Sequence, residues 1–135
     1  MRTTDVTLIR VPQLAAAPYA YASTIPASAR LIFLAGACPI DVEGVVIHSD
    51  DIAAQTRHCL ENLDVALSAV DASLTDIVST RVLVVTRDRH DLTAAWAVVS
   101  KWFGDHAVPS TLLGVTVLGY DGQLVEIEAT AGIVD

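Results

Sequence analysis

Cysteine is scarce in this chain, and so is positive charge. Its two cysteines, Cys38 and Cys59, fall on different predicted elements without C-x-x-C spacing. That excludes a disulfide framework and a cysteine zinc site, and leaves two reduced thiols, Cys38 packed or lining a pocket at a strand end. Eight Lys and Arg stand against sixteen Asp and Glu, for a net charge of −8. The cations are scattered from Arg2 to Lys101, and only Arg87 and Arg89 lie close together. A nucleic-acid surface needs clustered cations to neutralise phosphates, so nucleic acid is excluded as a partner. No apolar run reaches the roughly 18 residues that cross a bilayer, and MRTTDVTLIRVPQ has no signal-peptide h-region. We therefore expect no membrane association and a cytoplasmic location. Phosphate-binding glycine loops, GxSxG and HExxH are also missing. His48, His58, His90 and His106 lack metal-ligand spacing and read as solvated, so no metal site is expected.

What is abundant is apolar surface. Hydrophobic residues make up 53% of the chain and charged residues 18%, a high ratio for a 135-residue protein that reads as one domain over residues 1–135. VTLIR (6–10) alternates as a strand, PYAYAST (18–24) is extended, and ARLIFLAGA (29–37) is a strand ending at Gly36. A turn-rich loop follows, punctuated by Pro39 and Gly44. DDIAAQTRHCLENLDVALSAV (50–70) places Ile52, Thr56, Cys59, Leu60, Leu63 and Leu67 at helical spacing. Ser49 or Asp50 can serve as its N-cap, and Gln55, His58 and Asn62 fall on its polar face. DIVSTRVLVVT (76–86) is β-branched and reads as a central strand, and RHDLTAAWAVVSKWFG (89–104) as a second amphipathic helix. Two more strands close the chain.

This order implies an α+β sheet with both helices on one face. Yet LIFLAG, VLVV and LLGV are apolar at consecutive positions, as in strands buried on both sides. The face without helices would be a large apolar patch, which we expect to pack against other copies of the chain.

Two charged features break the closing and central strands. In QLVEIEA, Glu126 and Glu128 share a face with Leu124 and Thr130, and Val125, Ile127 and Ala129 share the other. Strand position leaves two readings: both carboxylates in solvent at the wet end of a sheet face, or Glu126, nearer mid-strand, as a buried proton acceptor or donor with Glu128 structural or solvated. In the central strand Ser79, Arg81 and Leu83 share a face, and Arg81 is the one cation in a predicted core strand. An arginine there calls for an anion, either a carboxylate or a ligand. Trp96 and Trp102 fit the apolar stripe of the second helix, Trp96 being the better candidate for ligand stacking.

The segments PYAYAS, FLAGACPID, DIAAQTRHCLENLDVAL, DIVSTRVLVV and QLVEIEA, in this order, resemble the RidA/YjgF family, also called the L-PSP or reactive intermediate deaminase family. The resemblance implies a chorismate-mutase-like α+β fold: a mixed sheet with two helices on one face, assembled as a homotrimer with small-molecule sites in the clefts between subunits. It further implies hydrolysis of enamines or imines such as 2-aminoacrylate to a 2-oxo acid and ammonia, with no metal or organic cofactor. Matched position by position, the family's pocket tyrosine falls on Tyr19 and its strand-end glycine and backbone amide on Gly36 and Ala37. Its water-activating glutamate falls on Glu126.

The carboxylate-clamping arginine of the deaminases falls on Thr111, a position often carrying Asn on Trp96, and a thiol-bearing position on Leu113. The implied pocket is more apolar and less cationic than a deaminase's, which makes ordinary 2-iminopropionate deamination doubtful and suits a neutral or larger substrate. Arg81 is a possible replacement for the missing cation. Three readings follow: a cofactor-independent hydrolase or deaminase acting on C=N bonds, a metabolite-binding trimer without turnover, and, disfavoured by charge, an endoribonuclease or translation inhibitor.

Overall fold

The computed structural model describes residues 4–135; Met1–Thr3, including the scattered cation Arg2, lie outside the described residues. The elements are β1 (Thr7–Ile9), β2 (Ala22–Thr24), β3 (Arg30–Phe33), α1 (Ile52–Ser68), β4 (Ile77–Val85), α2 (Arg89–Phe103), β5 (Ser110–Val115) and β6 (Val125–Ile133). A short 3-10 turn, Leu74–Asp76, leads into β4. β1 and β2 form a separate antiparallel ribbon. The main sheet has the order β3-β6-β4-β5, with β4 and β5 parallel and the other pairs antiparallel. This is the α+β mixed sheet expected. The two closing strands, however, do not pair with each other: β5 and β6 flank β4 on opposite sides.

Strand alternation decides what each face carries. Val82 and Val84 of β4 and Val125, Ile127 and Ala129 of β6 are buried under α1 and α2, in one cluster with Leu60, Leu63, Leu67, Ala95 and Val99. The alternate residues look away from the helices, and there Leu31 is 50% and Phe33 77% exposed. Among the described residues no helix covers that face.

Several boundaries differ from the sequence pattern, each for a local reason. The N-cap of α1 is Asp51, which accepts from the Ala54 amide at 2.9 Å. Asp50, like His48, lies in the left-handed region (φ 63° and 56°), whereas a cap needs the extended backbone that Asp51 adopts. The strand expected over 29–37 stops at Phe33, and Ala37 rejoins the sheet only through an isolated bridge to Ile127. The extended segment 18–24 pairs only over its last three residues.

Two histidines are not solvated. Half-buried His58 and His106 place Nε2 at 3.0 Å from the Ile40 carbonyl and 2.9 Å from the Ile77 carbonyl. Backbone oxygens removed from water need such partners.

Gln55, expected on the polar face of α1, is fully buried. Its amide donates to the Gly122 carbonyl at 3.1 Å and its oxygen accepts from the Leu124 amide at 2.8 Å, fixing the turn that feeds β6. Gln55→Leu keeps the volume but strands these backbone groups, each worth about 1–3 kcal/mol when buried without a partner. We expect the urea midpoint to fall with an unchanged m-value; an unaltered midpoint would show that the turn holds without this anchor.

Candidate functional site

Two clusters of side chains gather around the main sheet, one on the face turned away from the helices and one at the β5 edge. The first is built around Glu126. Its strand position turns it away from the helices, next to Leu83 of β4, and leaves it half-buried. Directly against it passes Gly36, in the segment between β3 and the Ala37 bridge. A Cβ at Gly36 would meet the Glu126 carboxylate, with Cδ at 2.7 Å, so a larger residue there would displace this side chain. The Ala37 amide donates to the Ile127 carbonyl at 2.7 Å and its carbonyl accepts the Ile127 amide at 3.0 Å, which ties the segment to β6.

Two donors reach the same oxygen of Glu126. The Cys38 thiol lies 3.2 Å from Oε1, and the Gln123 amide nitrogen 3.3 Å from it. Gln123 is buried and anchored on both sides, donating to the Val125 carbonyl at 3.0 Å and accepting from the Tyr120 amide at 3.1 Å. The loop that carries Cys38 is held by Asn62 of α1, whose amide donates to the carbonyls of Cys38 (2.9 Å) and Ile40 (3.0 Å). Both thiols are free. Burial, with Glu126 as its acceptor and neighbouring charge, pushes the Cys38 thiol up to about 11. Burial pushes Cys59 higher still. Neither is poised as a thiolate nucleophile.

The second cluster lies at the β5 edge. Tyr19 stands edge-on to Trp96, ring centroids 6.4 Å apart at 87°, and close to Tyr21 at 5.8 Å. Its segment is arched by Arg10, which donates to the carbonyls of Ala17 (3.0 Å) and Tyr19 (2.6 Å). A cavity of about 630 Å³ is lined by Tyr19, Tyr21, Trp96, Ser110 and Thr111. An adjoining one of about 310 Å³ shares Tyr19 and Thr111 and adds Ser79 and Arg81. Leu113 stands two residues beyond Thr111 on the same face, beside Leu83.

Arg81 meets a carboxylate, as its place in the central strand called for. It lies directly opposite Glu128 and meets it at 3.4 Å, with the arginine side chain 54% exposed. Its partner is therefore Glu128 and not Glu126, and it is not a buried cation, because no helix covers this face within the chain.

The register separates the two clusters. Leu113 and Glu126 flank Leu83 from opposite sides, so they stand two strand spacings, about 10 Å, apart. Thr111 lies a further two residues along. Among the described residues no group of three or more His, Cys, Asp or Glu is placed to hold a metal ion.

With this geometry in view, the comparison with known proteins is decisive. The family model described as Endoribonuclease L-PSP matches residues 12–133. The chain belongs to this family. Among its L-PSP relatives, a RutC family protein of Pyrococcus abyssi is 35% identical over 114 residues, covering 84% of this chain and 85% of the relative. The 3-aminoacrylate deaminase RutC of Acinetobacter baylyi is 30% identical over 104 residues, 77% of this chain and 80% of that one. Among solved L-PSP structures, the Rid-family protein YyfB of Yersinia pestis superimposes with a TM-score of 0.86 at 26% identity, over 96% of this chain and 99% of YyfB. A YjgF-family protein of Mycobacterium tuberculosis gives 0.65 at 32% identity, over 95% and 99%. The RidA/YjgF resemblance of FLAGACPID and QLVEIEA is thus that of an L-PSP family member with the family's fold.

Pattern reading missed Gln123, Gln55 and Asn62 as parts of the Glu126 cluster. Gln55 and Asn62 carry a faint signal, since a spacing of seven puts two amides on one stripe of α1, next to its apolar stripe. Gln123 carries none, because its partners come from the turn geometry.

The raised thiol generates a pH prediction. Cys38 keeps its proton to higher pH in the native state than in the unfolded chain, so its contribution to stability is complete below about 9 and is lost as pH rises toward 11. Urea midpoints of the wild type should fall over this window, and Cys38→Ala should fall less steeply, Cys59 accounting for the remainder. Identical slopes would contradict the assignment.

Proposed function

We propose that this chain is a cofactor-independent hydrolase of small enamine- or imine-type metabolites, acting in clefts between the subunits of a homotrimer. The observation that carries the reading is the Glu126 carboxylate, half-buried on the sheet face turned away from the helices, held at one oxygen by Cys38 and Gln123 and lying against Gly36 with the other. The relation to a 3-aminoacrylate deaminase supports the same reaction class.

The separation of the two clusters supports the assembly. Tyr19, Trp96, Thr111 and Leu113 lie on the β5 side and Gly36, Ala37 and Glu126 on the β6 side, with β4 between them. A cleft using both sets needs the β5 edge of one copy against the β6 face of the next. Such packing would also cover Leu31 and Phe33, whose exposure is otherwise unfavourable.

In the proposed reaction water attacks the carbon of the C=N bond. Glu126 accepts the water proton as the new C–O bond forms and the C=N electron pair moves to nitrogen, and it returns that proton to the nitrogen to give the neutral carbinolamine. Glu126 then takes the hydroxyl proton as the C=O bond forms and the C–N bond breaks, and passes it to the departing nitrogen, which leaves as ammonia. Thr111 stands where deaminases have the arginine that clamps a substrate carboxylate. Its hydroxyl can donate or accept but bears no charge, which favours an uncharged substrate, with the aromatic edges of Tyr19 and Trp96 beside it. Arg81, on the wall it shares with Thr111 and Tyr19, offers a cation only when it leaves Glu128.

Ammonia release tests this reading. Wild type should hydrolyse an uncharged imine faster than 2-aminoacrylate generated in situ, and Glu126→Gln should lose about 100-fold or more on either. Thr111→Arg should gain about tenfold or more on 2-aminoacrylate through a new bidentate contact. Equal turnover by wild type and Glu126→Gln would remove Glu126 from the chemistry, and binding without turnover would leave the metabolite-binding trimer.

The assembly has its own test. Light scattering should give three times 14.3 kDa for the wild type, and Phe33→Glu should release monomer. A wild-type monomer at micromolar concentration would end the intersubunit cleft.

A further inference from the structure

The Glu126 carboxylate is asymmetric. Oε1 faces both donors, the Cys38 thiol at 3.2 Å and the Gln123 amide at 3.3 Å. Oε2 is the atom turned toward Gly36, in the space that a side chain there would take, and neither donor reaches it. The two donors are themselves fixed, Gln123 by the Val125 carbonyl and the Tyr120 amide, and Cys38 through Asn62 on its own carbonyl. A carboxylate held in this way cannot exchange its two oxygens by rotation without breaking two hydrogen bonds.

Resting on the reading of Glu126 as the proton acceptor, we propose that Cys38 and Gln123 are positioning residues: they hold Oε1 and leave Oε2, over Gly36, as the atom that accepts the proton. Cys38 serves here as a donor and not as a nucleophile. The acidity of the thiol agrees, since Glu126 as acceptor and as charge both hold its proton on, whereas the Gln123 amide acts in the opposite direction. The groups that bear on the two thiols are Glu126 and Gln123 from the β6 side and each other, with no cation among them. Each residue has a distinct part. Gln123 donates to the charge that stays on Oε1, and Cys38 fixes the carboxylate plane, because its short side chain sits on the loop that also supplies Gly36.

The experiment uses the intact protein and has two independent arms. In the first, iodoacetamide labelling of Cys38 is followed against pH by peptide mapping, in wild type, Glu126→Gln and Gln123→Leu. The wild-type midpoint should lie at about 11. Glu126→Gln should lower it by about one unit and Gln123→Leu should raise it, because the two neighbours act with opposite sign. Loosening of the loop alone would move both variants toward the ordinary thiol value. A midpoint unmoved in Glu126→Gln, or moved the same way in both variants, overturns the clamp.

The second arm is kinetic. Cys38→Ala should reduce kcat about tenfold with KM little changed and shift the acid limb of the pH–rate profile upward, and Cys38→Ser, which keeps a donor, should restore most of the loss. Unchanged kcat and pH profile in Cys38→Ala, beside an inactive Glu126→Gln, would overturn the positioning role while leaving the hydrolase reading intact. If the wild type turns over no imine, the hydrolase reading fails, and the labelling arm still decides whether the thiol and amide hold Oε1.

Discussion

The antiparallel pairing of β4 with β6 is the constraint from which the rest of the molecule follows. Its register sets Val82 against Ile127 and Val84 against Val125, and α1 and α2 cover that side. The same register sets Arg81 against Glu128 and Leu83 against Glu126 on the opposite side. Because side chains alternate, a slip of one residue would bury both glutamates under the helices and expose the valines, so the core and the site are specified by one decision. Two helices cannot reach both faces of a four-stranded sheet, and the chain leaves the second face open with Leu31 and Phe33 upon it.

Glu126 stands in this structure because of what passes beside it. The chain leaves β3 at Phe33 and returns only at Ala37, and the gap contains Gly36, whose bare backbone lies against the carboxylate. The break in an otherwise apolar strand is therefore not a weakness of β propensity. ARLIFLAGA has the composition of a continuous strand, and a reader of that composition extends it to residue 37. Beyond Phe33 the segment instead meets Glu126 through Gly36, a contact between residues 90 positions apart.

The same division explains what else was legible. Helix α1 and strands β4 and β6 announce themselves through periodicities of 3.6 and 2, which depend on neighbours in sequence. The face shared by Glu126 and Glu128, and that shared by Ser79, Arg81 and Leu83, follow from alternation alone. The pairing of Arg81 with Glu128 instead of Glu126 needs the interstrand register, which no local pattern contains. The thiol and amide on Oε1 need more: Cys38 and Glu126 are 88 residues apart, and Gln123 is aimed by a turn that Gln55 fixes from α1. Cap choice fails for a smaller reason, since Ser49, Asp50 and Asp51 are all good caps by type and only the backbone conformation of Asp50 excludes it.

The distribution of charge on the open face bears on what can bind there. Its described anions are Glu126 and Glu128, and the cation beside them is already engaged by Glu128 at 3.4 Å. A substrate carboxylate entering this region would meet Glu126 with no unpaired cation to offset it, unless Arg81 were drawn from Glu128, leaving that carboxylate partnerless in turn. A neutral imine meets neither penalty. It needs only a hydrogen-bond partner for its nitrogen and a proton acceptor for the attacking water, the parts that the proposed trimer gives to Thr111 of one copy and Glu126 of the next. Under the proposed reading, replacing one arginine by threonine is then a change of substrate charge and not a loss of chemistry, because the atom that takes the proton is held by residues that the substitution does not touch.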